Sequence, residues 1–170
     1  MRPELKRIFG VDLTKIEGIS TLTAMTVLAE CGPDLSSFPT DGHFTSWLAV
    51  CPNNRITGGK VRSRRTRPGK NRLATALCLA AQSLHHSKSA LGVYFRRMRA
   101  RLGAPKAITA TAHKIARLIY MMLTRGEEYV AQGQAEYETR CKEQQIAAFK
   151  RQAQRLGLAV LNPTTGEVVS

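Results

Sequence analysis

Asn71-Arg72-Leu73-Ala74-Thr75-Ala76-Leu77-Cys78-Leu79-Ala80-Ala81-Gln82-Ser83-Leu84 is the clearest helical stretch in the chain. Leu73, Ala76, Leu77, Ala80, Ala81 and Leu84 recur at helical spacing and form one apolar stripe, and alanine adds helix propensity. Lys70 and Arg72 flank the first turn, where positive charge opposes the helix dipole. That placement costs stability and implies a helix start kept positive for an anion.

The chain enters this helix through Arg55-Ile56-Thr57-Gly58-Gly59-Lys60-Val61-Arg62-Ser63-Arg64-Arg65-Thr66-Arg67-Pro68-Gly69-Lys70-Asn71-Arg72. Eight of the twenty-six Lys and Arg residues fall in these eighteen positions, with no carboxylate among them. Burying an unpaired guanidinium costs several kcal/mol, so the stretch reads as a surface loop that must meet an anion. It also carries three hydroxyls, Thr57, Ser63 and Thr66, and the flexible pair Gly58-Gly59.

Further upstream, Thr40 or Asp41 caps a helix expected to run through Val50. Phe44, Trp47, Leu48 and Val50 form its apolar face, and Trp47 is read as a core residue. Pro52-Asn53-Asn54 ends it. Val11 to Gly32 reads as a helix-hairpin-helix-like start: a short helical segment, a tight turn at Gly18, and a second helix capped by Ser20 or Thr21. Leu22, Met25, Leu28 and Ala29 form the apolar spacing of that second helix, and Gly32-Pro33 ends it. Such a hairpin presents backbone N–H groups and a helix N-terminus to a phosphate. Ser20 stands where the usual form has a second glycine, and an αα-hairpin that only packs is the alternative. Residues 1–10 read as a basic lead-in with too little apolar surface to anchor a domain.

Downstream, His85 to Ser89 reads as a hinge with an exposed histidine pair; adjacent histidines lie about 100° apart on a helix and make poor metal ligands. Ala90 to Leu102 forms a helix with Leu91, Tyr94, Phe95 and Met98 inward and Arg96, Arg97, Arg99 and Arg101 outward. Phosphate contact is favoured over simple solvation for that arginine face. Lys106 to Leu123 is the next helix, and its His113, lacking a nearby carboxylate in sequence, reads as structural. Residues 11–125 make the compact domain, 126–160 a long polar helical extension and 161–170 a flexible tail. Strand signal is almost absent, so the fold class is all-α.

At 170 residues with 43% hydrophobic content, the chain is long enough for one folded domain with an appendage. A formal charge of +14 and a pI near 10.3 point to a polyanion, nucleic acid first. No apolar run approaches the roughly 20 residues that cross a bilayer, and the N-terminus lacks a secretory apolar region, so no membrane partner is expected. Cys31, Cys51, Cys78 and Cys141 are scattered without zinc spacing, which fits reduced thiols in a cytoplasmic protein. No metal site is expected.

Several motifs in order carry a resemblance. They are Ile16-Glu17-Gly18-Ile19-Ser20-Thr21-Leu22-Thr23-Ala24, Phe44 to Pro52, Ile56-Thr57-Gly58-Gly59-Lys60, Arg64 to Arg72, Ala80-Ala81-Gln82-Ser83-Leu84 and Leu102-Gly103-Ala104-Pro105-Lys106-Ala107. Together they resemble the C-terminal domain of transposases of the insertion-sequence 110/116/902 family, particularly its eleven-eleven branch. The resemblance covers about residues 11–125. It implies a DNA recombinase of two parts, guided by a structured RNA and assembled as a dimer or tetramer on DNA at the bacterial nucleoid. An N-terminal Asp-Glu-Asp-Asp domain would hold Mg2+, and the C-terminal domain would supply a nucleophilic serine. The carboxylate domain is not recognisable in this chain, which reads as a C-terminal domain or a truncated product. Thr57 occupies the position of the serine.

A hydroxyl that attacks a phosphodiester needs its proton removed and positive charge to stabilise the transition state. Thr57 is the candidate catalytic residue. Arg55, Gly58, Gly59, Lys60, Arg62, Arg64, Arg65, Arg67, Lys70 and Arg72, with Gly18, are the candidate DNA contacts. Ser63 is the rival hydroxyl on composition alone. The expected function is DNA binding within a transposase, with no cofactor of the chain's own. The alternative is a catalytically silent DNA- or RNA-binding remnant or a regulator of the full-length enzyme.

Overall fold

In the computed structural model, residues 1–63, 65–69, 71–158 and 161 are described. For Arg55 and Glu138 that description covers the backbone alone. Arg64 and Lys70, both expected DNA contacts, lie outside the described residues, as does most of the expected tail, 162–170. The elements are α1 (Arg2–Phe9), a 3-10 turn (Leu13–Lys15), α2 (Thr21–Cys31), α3 (Asp41–Trp47), β1 (Arg55–Thr57) and β2 (Lys60–Ser63). They continue with α4 (Arg72–Ser83), a second 3-10 turn (Leu84–His86), α5 (Ala90–Leu102), α6 (Ala104–Arg125) and α7 (Glu127–Arg155). The fold is all-α, with one small antiparallel hairpin among the described residues.

The chain divides into two units, Met1–Ala131 and Gln132–Ser170. In the first, α6 is the central element. Ala107, Thr111, Ala112, Ile115, Ala116, Ile119 and Met122 recur every three or four residues and are all buried, and the helix packs against α3, α4 and α5. Pro105 opens α6, where a missing N–H costs nothing, and Gly103 and Gly126 bracket it with positive φ.

Helix α4 follows its expected stripe, with Leu73, Leu77, Ala80 and Ala81 buried. Asn71 caps it, its Oδ1 accepting from the Ala74 N–H at 3.1 Å. Helix α2 packs on α4. Ser20 is its cap, with Oγ accepting from the Thr23 N–H at 3.1 Å. In the second unit the rest of α7 ends around Gly157, where the Leu158 N–H donates to the Ala153 carbonyl at 2.9 Å.

Several expectations change. Residues 1–10 are not a loose lead-in: they form α1, and Leu5 and Phe9 enter the core. Two large side chains one helical turn apart give enough apolar area to dock a two-turn helix. Of the apolar residues expected to face inward on α2, Leu28 packs against the core, whereas Leu22, Met25 and Ala29 are exposed. Leu22 is 73% exposed, whereas Ala24 and Val27 are buried, because α2 is apolar nearly all round and its spacing alone cannot select a face.

Helix α3 stops at Trp47 rather than Val50. Ala49 takes φ 56, and the chain reverses there so that Leu48 and Val50 both reach the core. That left-handed alanine costs roughly 1–2 kcal/mol. Trp47 is therefore left 43% exposed, its ring leaning on Phe38 and Phe44 with centroids 5.4 and 6.3 Å away. The first limb of the expected helix-hairpin-helix is a single 3-10 turn.

Candidate functional site

The basic stretch expected as a loop is a β-hairpin with a tail leading into α4. Gly58 and Gly59 take φ 56 and 73. Two consecutive left-handed residues make the turn whose twist matches a two-residue hairpin, and glycine reaches both without a Cβ clash. Thr57 pairs with Lys60, Ile56 with Val61 and Arg55 with Ser63. The register slips between Arg55 and Ile56, which leaves Arg62 as the extra residue of a bulge. Below the strands the ladder is extended by the Asn53 N–H donating to the Arg65 carbonyl at 3.0 Å and by a Pro52–Thr66 bridge.

Strand alternation puts Ile56 and Val61 on one face and Thr57, Lys60 and Ser63 on the other. The hairpin stands out from the core: Ile56 is 62% and Val61 43% exposed, and Thr57, Lys60 and Arg62 are exposed as well. Ser63 is more enclosed, and its Oγ accepts from the Arg65 N–H at 3.3 Å. Of the two candidate hydroxyls, Thr57 is thus the one presented at the hairpin tip.

The structure brings Thr57, Gly58, Gly59, Lys60 and Arg62 together on this hairpin, with Arg65 and Arg67 exposed on its exit. Among the described residues none of Lys60, Arg62, Arg65 and Arg67 pairs with a carboxylate. Arg72 is at 3.8 Å from Glu30 and almost wholly exposed. Gly18 sits apart from this group in its contacts. At φ 86, a Cβ there would lie 3.0 Å from the Ala80 carbonyl and 3.3 Å from Leu84 Cγ, so its bareness lets the turn close on α4.

Charge is segregated along the chain more sharply than the basic stretch alone conveys. No Asp or Glu occurs between Asp41 and Glu127, while seventeen of the twenty-six Lys and Arg residues do. The carboxylates near the domain's edges have local partners. Asp12 accepts from Arg2 at 2.7 Å and from the Thr14 hydroxyl at 2.6 Å. Burial raises its carboxyl, but the Arg2 and Thr14 hydrogen bonds outweigh that and hold it at about 2. Asp41 pairs with Arg117, and Glu127 accepts from Lys15 and from the Asp12 N–H.

Among the described residues no group of three His, Cys, Asp or Glu side chains could hold a metal ion. Burial, then the Glu30 charge, pushes the Cys31 thiol up to about 11, and burial raises Cys78. Both therefore stay protonated near neutral pH. His113 is half-buried; burial and then Arg117 lower its imidazole, with Asp41 opposing.

Sequence reasoning missed a second cluster. His85 Nε2 accepts from Arg99 and its Nδ1 lies 3.0 Å from His86 Nε2. Arg96 donates to the Ser87 carbonyl at 2.5 Å and to the His85 carbonyl at 3.3 Å. Nothing in the local pattern joins residues fourteen positions apart across a break between two helices. For the hairpin, by contrast, a signal existed: Gly-Gly between two short segments containing β-branched residues.

Residues 12–96 match the sequence profile of the transposase IS116/IS110/IS902 family. The chain is 32% identical over 135 residues to the Sinorhizobium fredii protein y4pF/y4sB, described as a transposase, covering 73% of this chain and 34% of that one. It is 29% identical over 119 residues to the 43.6 kDa protein of insertion element IS110 from Streptomyces coelicolor, covering 69% of this chain and 29% of that one. A Pseudomonas aeruginosa protein described as a family 20 transposase is 29% identical over 118 residues, covering 66% of this chain and 35% of that one. The chain thus spans about a third of the length of the curated relatives it matches. No solved structure matches it.

Proposed function

Because this chain belongs to the transposase IS116/IS110/IS902 family, we propose that within transposition it acts as the DNA-holding part of a longer transposase. The observation that carries this reading is the hairpin, which exposes Lys60 and Arg62 with Arg65 and Arg67 on its exit and, among the described residues, no carboxylate partner for any of them. Charges without a partner at a surface gain most by releasing counterions from a polyphosphate. Gly58 and Gly59 bring bare backbone to the tip, where a phosphate could approach closely. Arg55, Arg64, Lys70 and Arg72 extend the same basic run in sequence.

Thr57 is the nucleophile in the finer form of this proposal. Its Oγ would attack phosphorus, forming a threonine–phosphate ester as the phosphorus–oxygen bond to the departing strand breaks. The proton goes to a base, and the departing oxygen takes one up as its strand is released. Lys60 and Arg62 would stabilise the charge that builds on the phosphoryl oxygens. On the resemblance, a magnesium ion would belong with a separate carboxylate-bearing domain. A structured guide RNA and a dimeric or tetrameric assembly belong to the same proposal. A catalytically silent DNA-binding protein is the second reading, favoured by the threonine methyl group and by the engagement of Asp12 and Asp41 in ion pairs.

The test is a titration of labelled duplex DNA with the wild-type chain and with a variant carrying Lys60→Gln, Arg62→Gln, Arg65→Gln and Arg67→Gln. Affinity is expected to fall about tenfold or more at fixed salt. Equal affinities would rule out the hairpin as the DNA-holding surface.

A further inference from the structure

Away from the hairpin, four cationic or titratable side chains converge where the second 3-10 turn meets α5. Arg99 donates to His85 Nε2, so in this arrangement His85 is an acceptor there and carries no proton on that nitrogen. The other ring nitrogen, Nδ1, is committed to His86 at 3.0 Å, with the two rings edge to face at 4.3 Å. Arg96 pins the backbone beneath them through the His85 and Ser87 carbonyls. Gly92 lets α5 come this close: a Cβ there would lie 2.3 Å from the Ser87 carbonyl oxygen.

We propose that the His85–Arg99 junction is a second phosphodiester-binding site, one that takes up a proton as DNA binds. The inference rests on the reading of the chain as DNA-binding. Among the described residues Arg99 has no carboxylate partner, and it donates instead to the lone pair of the neutral His85 imidazole. A phosphodiester oxygen placed between them takes that lone pair's place. Arg99 then donates to the oxygen, His85 Nε2 gains a proton from solvent, and both groups donate to one anion.

The surroundings favour this exchange. Burial, and then the His86, Arg99 and Arg96 charges, lower the His85 imidazole from its ordinary value, and an added negative charge acts in the opposite direction. The charged groups around His85 are His86 and, next in sequence, Lys88 on its own connection, and Arg96 and Arg99 on α5. Helix α4 also packs here, and its one charged residue, Arg72, lies at its far end. The acid bonded to this connection is Glu17, which accepts from the Ser87 hydroxyl.

The experiment is calorimetry of duplex DNA binding at constant ionic strength, in two buffers of different ionisation enthalpy, between about pH 8 and pH 5. The expected result is proton uptake by the wild-type chain and an affinity that rises as pH falls, by up to about tenfold per pH unit for one proton. His85→Gln should abolish the uptake, His43→Gln should keep it, and Arg99→Gln should lose both uptake and affinity. Thermal melts of each variant separate these effects from misfolding, and Arg99→Gln tests the site independently if His85→Gln fails to fold. Binding without proton uptake, or uptake unchanged in His85→Gln, overturns this site while leaving the hairpin reading intact. No binding of DNA at all overturns both.

Discussion

Thr57 and Asp12 show how differently single residues of this chain are placed. Thr57 ends β1 beside a two-glycine turn, exposed among cations. If it is the nucleophile, a carboxylate-bearing domain added to the chain and a nicked DNA substrate should yield a covalent protein–DNA adduct. Thr57→Ser should give at least as much adduct, because it removes the methyl group that crowds attack, and Thr57→Ala should give none. An adduct persisting in Thr57→Ala would exclude Thr57.

Asp12 is a structural acid, buried and bonded to Arg2 and Thr14. Its folded carboxyl sits near 2 against an ordinary 3.8, so its contribution is fully present above about pH 4 and is lost as pH falls through about 2. The contribution is on the order of 1–2 kcal/mol, discounted because Arg2 is 60% exposed. Asp12→Asn should therefore melt lower than wild type at neutral pH, and the gap should close near pH 2. A gap independent of pH would mean that the Arg2–Asp12 pair does not act through charge.

At the scale of elements, the hairpin and the helices answer to different physics. Helices α4, α5 and α6 were legible because apolar residues repeat every three or four positions and the repeat coincides with burial. The hairpin was marked only by its Gly-Gly turn, because its strands are three and four residues long and almost wholly exposed, so no hydrophobic pattern announces them. A two-stranded hairpin of this size is marginal on its own, and its shape depends on Gly58 and Gly59. Replacing both with valine should cost roughly 1–2 kcal/mol per residue locally. Because the hairpin lies outside the core, the thermal melt of the helical unit should stay within a degree or so while DNA affinity falls. A large drop in melting temperature would show that the hairpin supports the core.

Across the whole molecule, the organising feature is the separation of charge. From Asp41 to Glu127 the chain carries cations and no acid between them, and the helices in that span still bury a large apolar core and a smaller cluster around Phe95, Met98 and Ala107. The sequence made the net charge and the basic run plain. It did not reveal that His85 and Arg99 meet, or that α1 docks, since both depend on packing between distant segments. Among the described residues no helix is long and apolar enough to cross a membrane.

The most direct measurement is the salt dependence of duplex DNA binding, compared between wild type and the Lys60→Gln, Arg62→Gln, Arg65→Gln, Arg67→Gln variant. Log affinity should fall linearly with log salt for the wild type, and the variant's slope should be shallower by about 0.9 for each phosphate it no longer neutralises. Identical slopes would contradict the hairpin as the surface that holds DNA.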